Sequence, residues 1–243
     1  MKKKLLFKTN ISNPSYRIIT VEEPLSVASE AYRRIKISLE FLSVDEQLKV
    51  IQLCSSGQGE GKTLTVLNLA ATYAEDGKKV IVVDLDFRRP KIHRAFRVEN
   101  KNGITDVLAG NISLEEAIKH SKYNFDFLNR GTKSSYPTVL LGSEAISKLF
   151  DSLRKEYDYI IVDAPPMLPV SDALIISKLC DCCLFVISEP LTDRRAAKEA
   201  VTALRNNGVN VVGCVLTCIS RKSNSYYNSK YKYYYQDYAN QDS

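Results

Sequence analysis

Short runs of consecutive apolar residues recur along this chain, and stretches with helical periodicity separate them. The five runs are LKVIQLC (48–54), KKVIVVDLD (78–86), YDYIIVDAPP (157–166), CDCCLFVIS (180–188) and NVVGCVLTC (210–218). Continuous apolar runs are typical of strands covered on both faces, whereas half-exposed strands alternate apolar and polar residues. Helices are predicted at 62–76, 143–155, 171–179 and 192–206. The alternation predicts an α/β fold with a mostly parallel central sheet and helices on both faces.

Three glycines interrupt the chain between the first predicted strand and the first of these helices. The segment SGQGEGKT (56–63) therefore has the setting of a phosphate-binding P-loop, although Ser56 stands where the G-x4-G-K-[ST] pattern has its first glycine. Glycines let successive backbone N–H groups converge on phosphate oxygens, and the start of a helix adds a positive end. In such a loop Lys62 can reach the β- and γ-phosphates, and the Thr63 hydroxyl can bind Mg²⁺.

Three aspartates follow the apolar runs directly. Asp84 and Asp86 come at the end of the second run, and Asp163 comes near the end of the third. The carboxyl ends of parallel strands are where ligands bind in open α/β sheets. Buried carboxylates of like charge are costly without a cation, and Mg²⁺ supplies one. The loop and the acids together predict a site for ATP and Mg²⁺.

The end of the chain has a different composition. After Ile219 there is no Val, Ile, Leu, Phe or Met, so residues 220–243 cannot bury enough aliphatic surface to offset the entropy of ordering. We therefore predict one domain over residues 1–219 and a flexible tail over 220–243. Seven of the chain's 14 tyrosines lie in this tail, at Tyr226, Tyr227, Tyr231, Tyr233, Tyr234, Tyr235 and Tyr238.

The segment SVASEAYRRIKISLEFL (26–42) has the pattern of an amphipathic helix. Its predicted inward stripe is Ala28, Tyr32, Ile35, Leu39 and Leu42. The opposite face carries charges that include Glu30, Arg33 and Lys36. From the residues alone, this face is a solvated surface with a weak ion pair three residues apart.

Net charge, hydropathy and cysteine spacing restrict the ligands, the cellular location and the metal content that the sequence allows. The net charge of +6 is spread along the chain, which fits nucleic acid, anionic lipid or phosphate ligands without deciding among them. No apolar run reaches the roughly 18–20 residues that span a bilayer, and the LLF near the start is too short for a signal peptide. We therefore predict a cytoplasmic protein whose membrane contact comes through a partner. The six cysteines lack paired C-x-x-C spacing and mostly lie in or beside apolar runs, which favours buried, structural thiols over a metal site.

Three segments together resemble one family. DLDFRRP (84–90), YDYIIVDAPPMLPVSDA (157–173) and the tyrosine cluster are similar to the cytoplasmic bacterial tyrosine kinases of the capsule and exopolysaccharide type. These kinases share the fold of the partition and septum-site P-loop ATPases. The similarity extends over essentially the whole chain from about residue 15.

The resemblance implies a role for each matching position. Asp84 would orient or deprotonate the attacking tyrosine. Thr63 and Asp86 would serve the metal, which Asp163 would support through water. Lys62, Asp84, Asp86 and Asp163 would form the catalytic set, and the phosphates would be held by Gly57, Gln58, Gly59, Glu60, Gly61, Lys62, Thr63 and Leu64.

The resemblance also implies partners. The seven tail tyrosines would be phosphorylated by neighbouring copies in a homo-oligomeric ring. The family's E-x-x-R-x-x-R motif for that ring is matched by Glu30, Arg33 and Lys36, where lysine replaces the last arginine. A transmembrane adaptor of the polysaccharide co-polymerase type would activate the kinase at the inner face of the membrane, and a tyrosine phosphatase would oppose it. The output would be control of capsular or extracellular polysaccharide, and no nucleic acid is expected.

Two rival functions remain open. A partition- or septum-site-type ATPase would use the same loop as a nucleotide-gated dimer switch, but those proteins usually carry a second lysine at the position of Gly57 and a C-terminal amphipathic helix. The tyrosine tail and the missing lysine favour the kinase. A non-catalytic nucleotide-binding scaffold is the other rival, and the intact phosphate and metal residues argue against it.

Overall fold

A computed structural model describes residues 16–42 and 48–219 of the chain. The tail over 220–243, with its seven predicted phosphoacceptor tyrosines, lies outside the described residues, so the predicted domain boundaries stay predictions. The strands are β1 (Val50–Ser55), β2 (Val80–Asp84), β3 (Lys119–His120), β4 (Asp126–Leu128), β5 (Tyr159–Asp163), β6 (Cys182–Ser188) and β7 (Val211–Thr217). They form a single sheet in the order β3-β4-β2-β5-β1-β6-β7. All neighbours are parallel except the edge pair β3–β4. The predicted α/β class is confirmed.

Helices cover both faces of the sheet. They are α1 (Ile19–Glu22), α2 (Val27–Leu42), α3 (Lys62–Glu75), α4 (Ile92–Ala95), α5 (Ile104–Leu108), α6 (Leu114–Ala117), α7 (Pro137–Leu141), α8 (Glu144–Glu156), α9 (Asp172–Ser177) and α10 (Arg194–Asn206). Alternate residues of each central strand enter different cores: Ile51 packs in the core that contains α3, and Val50 packs in the core that contains α8 and α9. Double coverage is the physical reason that the strand sequences are continuously apolar.

Helix α3 is buried along nearly its whole length, because α2 and α1 cover the side that faces away from the sheet. The sequence prediction for α2 was right about the helix and partly wrong about its inward face. Ala28 and Leu42 are exposed, whereas Ser29, Lys36 and Leu39 are buried. The Ser29 hydroxyl donates to the carbonyl oxygens of Ile19 in α1 and of Glu23 just after it, so part of the buried face of α2 packs against α1.

The region between β2 and α8 holds short elements that sequence periodicity did not predict. Four helices of four or five residues and the β3–β4 pair lie in this region. The cysteine prediction also held only in part. Cys54, Cys182 and Cys183 are buried, but Cys214 and Cys218 are exposed on or beside the edge strand β7.

No helix within residues 16–42 and 48–219 combines the length and the apolar content that crossing a bilayer requires.

Gly131 lies where the chain after β4 passes against α5, and the structure predicts that this position tolerates no side chain. Its φ is +93°, and a Cβ there would collide with the Asp106 carboxylate and lie 2.8 Å from Thr105 Oγ1. Gly131→Ala should therefore lower the free energy of unfolding by at least about 3 kcal/mol in urea denaturation.

Gly77→Ala is the matched control for this change. Gly77 has a similar φ of +73°, but a Cβ added there would have no described atom within 4 Å. Only the backbone penalty applies, so the cost should be about 1 kcal/mol. Equal losses in the two variants would contradict the steric argument.

Candidate active site

The glycine-containing loop lies between β1 and α3, as predicted. Gly59 and Gly61 have φ values of +79° and +94°, so both use the left-handed region that side chains disfavour. Gly61 is also the residue that begins α3 at its N-cap. A Cβ on Gly61 would lie 3.2 Å from Thr217 Oγ1, which adds a steric reason for glycine there. The loop therefore takes a conformation that its glycines permit, at the N-terminus of a 14-residue helix.

Lys62 reaches back over this loop. Its Nζ donates to Ser55 Oγ at 2.7 Å and to the carbonyl oxygen of Gly57 at 3.3 Å, and the residue is only 6% exposed. Burial lowers the pKa of Lys62, while the nearby Asp163 carboxylate acts in the opposite direction. A buried ammonium group held by two neutral oxygens can exchange them for phosphate oxygens at little conformational cost.

Thr63 and Asp163 are in direct contact, as a shared metal site requires. Thr63 Oγ1 donates to Asp163 Oδ2 at 2.6 Å, and both residues are buried. Asp86 lies beyond the end of β2, where its Oδ1 accepts the backbone N–H of Arg89 at 2.9 Å. The structure therefore brings Thr63, Asp163 and Lys62 together and leaves Asp86 nearby on the loop that follows β2.

The Asp84 carboxylate is completely buried, and only one of its two oxygens has a hydrogen-bond partner among the described residues. It pairs in register with Asp163 on the adjacent strand. Its Oδ2 accepts the backbone N–H groups of Lys91 and Ile92 at 2.9 and 3.0 Å, whereas its buried Oδ1 has no hydrogen-bond partner among the described residues. Burial raises the pKa of Asp84 well above its usual value, and the neighbouring Asp163 raises it further. The pKa of Asp163 is also raised by burial, although the Thr63 hydroxyl and Lys62 oppose that shift.

These residues fit a divalent cation that is shared with a nucleotide. Two adjacent buried carboxylates, one with an unpartnered oxygen, are an unfavourable arrangement that positive charge would relieve. Within the described residues, no three His, Cys, Asp or Glu side chains form a metal-binding group by themselves. This agrees with Mg²⁺ chemistry, because Mg²⁺ is usually held by one or two carboxylates, substrate phosphates and water.

The remaining predicted loop residues differ in their contacts. The Gln58 side chain is exposed, and its Oε1 accepts from Arg89 Nη1 at 2.6 Å. Gly57 does not need a left-handed φ, although a Cβ there would contact Glu60 Oε1. Leu64 lies in the first turn of α3, where its carbonyl oxygen accepts from the Asn68 side chain.

Glu60 has a role that its sequence pattern did not indicate. Its side chain is 3% exposed, Oε1 accepts from Ser56 Oγ at 2.7 Å, and the buried Oε2 has no partner in the described part of the chain. Burial alone would raise the pKa of Glu60, but the Ser56 hydroxyl and the nearby polar groups of Thr192 and Gly57 bring it below its usual value. Thr217 Oγ1 donates to the Glu60 carbonyl oxygen at 2.7 Å, so the last residue of β7 supports the loop.

Another contact fixes the segment after β2. Arg88 Nε and Nη2 bind the Asp172 carboxylate at 2.7 and 3.2 Å, and Thr138 Oγ1 binds the same carboxylate at 2.9 Å. The Asp172 side chain is buried, so this ion pair ties the loop after β2 to the start of α9.

The three candidate oligomerisation residues on α2 contact their own chain. Arg33 donates to the Pro24 carbonyl oxygen at 2.7 Å and pairs with Glu75 at 3.4 Å and Glu30 at 3.9 Å. Lys36 is buried and pairs with Asp76 at the end of α3. The part of this motif that is available to another subunit is therefore Glu30 and Arg33, which are half-buried.

Comparisons with known proteins agree with this geometry. A family model described as an AAA domain matches residues 48–189. The tyrosine-protein kinase YwqD of Bacillus subtilis is 36% identical over 94% of this chain and 95% of its own length. A relative from Klebsiella pneumoniae, named as a tyrosine-protein kinase in the cps region, is 32% identical over 92% of this chain but only 31% of its own length. The chain thus spans about a third of that longer protein.

Solved structures give the same fold. The kinase domain of the Escherichia coli tyrosine kinase ETK is 32% identical, with a TM-score of 0.82 over 88% of this chain and 83% of that one. The septum-site-determining protein MinD of Pyrococcus horikoshii, solved with Mg-ADP, is 25% identical, with a TM-score of 0.59 over 69% of each chain.

Proposed function

This chain belongs to the bacterial tyrosine kinases built on a P-loop AAA-type domain, and on this premise we propose that it transfers the γ-phosphoryl group of ATP to tyrosines in residues 226–238 of a neighbouring copy. The observation that carries the proposal is the convergence of Lys62, Thr63 and Asp163 behind the glycine loop. The tyrosine-rich segment supplies the acceptors, at Tyr226, Tyr227, Tyr231, Tyr233, Tyr234, Tyr235 and Tyr238.

Each group at the site has a task in this reaction. Bound Mg²⁺ would neutralise charge on the phosphates, and Thr63, Asp86 and Asp163 would hold it. Lys62 already lies over the loop, where its ammonium can offset negative charge on the transferring group. Asp84 has one unpartnered oxygen that can accept a hydrogen bond from the tyrosine hydroxyl. As the tyrosine oxygen bonds to the γ-phosphorus, the bond from that phosphorus to ADP breaks and the hydroxyl proton is released towards Asp84.

We extend the proposal to assembly and pathway. Glu30 and Arg33 of α2 would contribute to a ring of copies, and the exposed apolar side chains Ile37 and Phe41 on the same helix could be covered there. A transmembrane adaptor, an opposing tyrosine phosphatase and a role in polysaccharide synthesis are proposed from the family and from the name of the Klebsiella relative. An adaptor of that kind would hold the chain at the inner face of the membrane. The septum-site-type ATPase switch and the non-catalytic scaffold are not favoured, because the relatives are tyrosine kinases.

A mixing experiment tests transfer between copies. One full-length variant carries Lys62→Met with the natural tail, and the other is active but has the seven tail tyrosines replaced by phenylalanine. After incubation with ATP and Mg²⁺, together with the cytoplasmic segment of an adaptor if one is encoded nearby, mass spectrometry should find phosphotyrosine in residues 226–238 of the Lys62→Met copy. Neither variant alone should produce it. ATP hydrolysis without phosphotyrosine would instead support the ATPase rival.

A further inference from the structure

A strongly basic cavity of about 630 Å³ lies beside the candidate active site, on the segment that follows β2. Six basic side chains line it: Arg88, Arg89, Lys91, Arg94, Arg130 and Lys133. None of the described residues in its wall is acidic. We call this set the basic pocket. A concentration of like charge with no acid in its described wall is a site for an anion.

Half of these cations are already engaged and half are not. Arg88 pairs with Asp172, Arg89 donates to Gln58, and Arg130 donates to the carbonyl oxygens of Phe87 and Gly131. The side chains of Lys91, Arg94 and Lys133 make no ion pair or hydrogen bond within residues 16–42 and 48–219. His93 also lines the pocket, and its buried Nδ1 has no partner within the same residues. Burial and the positive charges of Arg94 and Arg130 lower the pKa of His93.

The pocket is tied directly to the catalytic acids. The backbone N–H groups of Lys91 and Ile92 bind Asp84, and the N–H of Arg89 binds Asp86. Gln58 of the glycine loop forms another part of its wall. An anion in the pocket would therefore lie next to the place where an acceptor tyrosine must approach Asp84. In an extended peptide, two or three residues cover about 7–10 Å, so one bound residue can place another at the acids.

The charge of the tyrosine-rich tail identifies the occupant. Before modification, residues 220–243 carry four basic side chains, Arg221, Lys222, Lys230 and Lys232, against the two acids Asp237 and Asp242. A positive segment does not complement a positive pocket. Each phosphotyrosine adds about −1.5 to −2 charges at neutral pH and three strong acceptor oxygens, which Arg and Lys bind well.

We propose that the basic pocket binds a phosphotyrosine already present in residues 226–238 of another copy, so that one phosphorylation primes the next. The proposal rests on the kinase function proposed above, and it adds an order in which the tail tyrosines are phosphorylated. The first transfer to a tail is slow, and later transfers to the same tail are faster. The pocket itself forms and breaks no covalent bond.

Two synthetic peptides of residues 224–240 test the proposal, one unmodified and one with phosphotyrosine at Tyr238. The enzyme is the full-length chain with phenylalanine at the seven tail tyrosines, so that its own tail cannot react. We expect the primed peptide to have a KM about tenfold lower and a similar kcat, because two charge-assisted contacts in the pocket should strengthen its binding by about that much.

The double variant Arg94→Ala/Lys133→Ala should remove that difference and leave the rate on the unmodified peptide unchanged. Both side chains are exposed, so their truncation should not unfold the protein. The matched control is Arg195→Ala/Lys198→Ala on α10, which removes two exposed charges from a different surface. Equal KM values for the two peptides, or a primed advantage that survives Arg94→Ala/Lys133→Ala, would overturn the proposal.

A binding measurement without ATP separates this inference from the kinase proposal. Fluorescence anisotropy should detect the labelled phosphopeptide on the same enzyme and not on the Arg94→Ala/Lys133→Ala variant. Phosphopeptide binding without phosphorylation of either peptide would defeat the kinase proposal and support the pocket. Displacement by equimolar inorganic phosphate, or pocket-dependent binding to phosphatidylserine vesicles in place of the phosphopeptide, would overturn the pocket's assignment to phosphotyrosine.

Discussion

Lys62→Met should reduce ATP-dependent tyrosine phosphorylation by about 10²–10³-fold. The structure holds the Lys62 ammonium against the glycine loop through Ser55 Oγ and the Gly57 carbonyl oxygen. Methionine keeps most of the length of the lysine stem but removes the charge that would stabilise the transferring phosphoryl group. The measurement is the initial rate of phosphotyrosine formation at saturating ATP.

The fold should survive this substitution. Because burial already lowers the pKa of Lys62, the charged amine is not a strong source of stability in the ligand-free protein. The melting temperature should therefore stay within a few degrees of the natural protein, as each kcal/mol shifts it by about 2–4 °C at this chain length. Lys198→Met on the exposed face of α10 is the control and should keep full activity. A Lys62→Met variant with more than about a tenth of the natural rate would argue against a P-loop role for this residue.

Asp84→Asn should lower the phosphorylation rate by about 10²–10⁴-fold and yet stabilise the ligand-free protein at neutral pH. Asparagine can still accept the N–H of Lys91 or Ile92, but it cannot take a proton from tyrosine. It also removes a buried charge that lies in register with Asp163. Activity and stability should therefore move in opposite directions.

The pH dependence of thermal stability tests whether the buried charge of Asp84 causes this stabilisation. The pKa of Asp84 in the folded protein is raised well above its ordinary value of 3.8, so folding takes up a proton between those two pKa values. The natural protein then loses stability as the pH rises through this interval, whereas Asp84→Asn has no such proton to lose. In thermal unfolding with EDTA, the advantage of the variant should be small near pH 4 and grow to about 2 °C or more near pH 8.

Asp158→Asn is the control for this experiment. Asp158 accepts the backbone N–H of Lys79 at 2.8 Å, but it is exposed and lies at the opposite end of β5. Its replacement should leave phosphorylation unchanged. An Asp84→Asn variant that melts below the natural protein at every pH would show that the carboxylate's hydrogen bonds outweigh its burial.

The parts of the fold that sequence reasoning predicted are those in which one physical cause dominates. β1, β2, β5 and β6 are buried between two helical layers, so their residues are almost continuously apolar. The edge strand β7 was predicted from the same pattern, although several of its residues are partly or fully exposed. The short helices between residues 92 and 141 have at most five residues each, too few for a helical period to be distinguished. On α2, Ala28 was expected inside and Lys36 outside, yet the exposure is reversed, because Lys36 can pair with Asp76.

The same distinction applies to the candidate site. Lys62, Thr63, Asp84 and Asp163 were predictable because each lies where a strand or helix begins or ends. The contact of Thr217 with the Glu60 carbonyl oxygen and the Arg88–Asp172 ion pair were not. The partners of those groups are far apart in sequence: Thr217 follows Glu60 by 157 residues, and Asp172 follows Arg88 by 84. Only the tertiary fold brings them together.

The contact between Thr217 and the glycine loop has a consequence for how this protein can diversify. Thr217 is the last residue of the edge strand β7, and its hydroxyl buttresses the backbone at Glu60. Evolution can alter the length of the following segment or its number of tyrosines without disturbing a sheet neighbour, since the described sheet has no strand beyond β7. Thr217 itself has no such freedom, because its hydroxyl supports the backbone of the glycine loop.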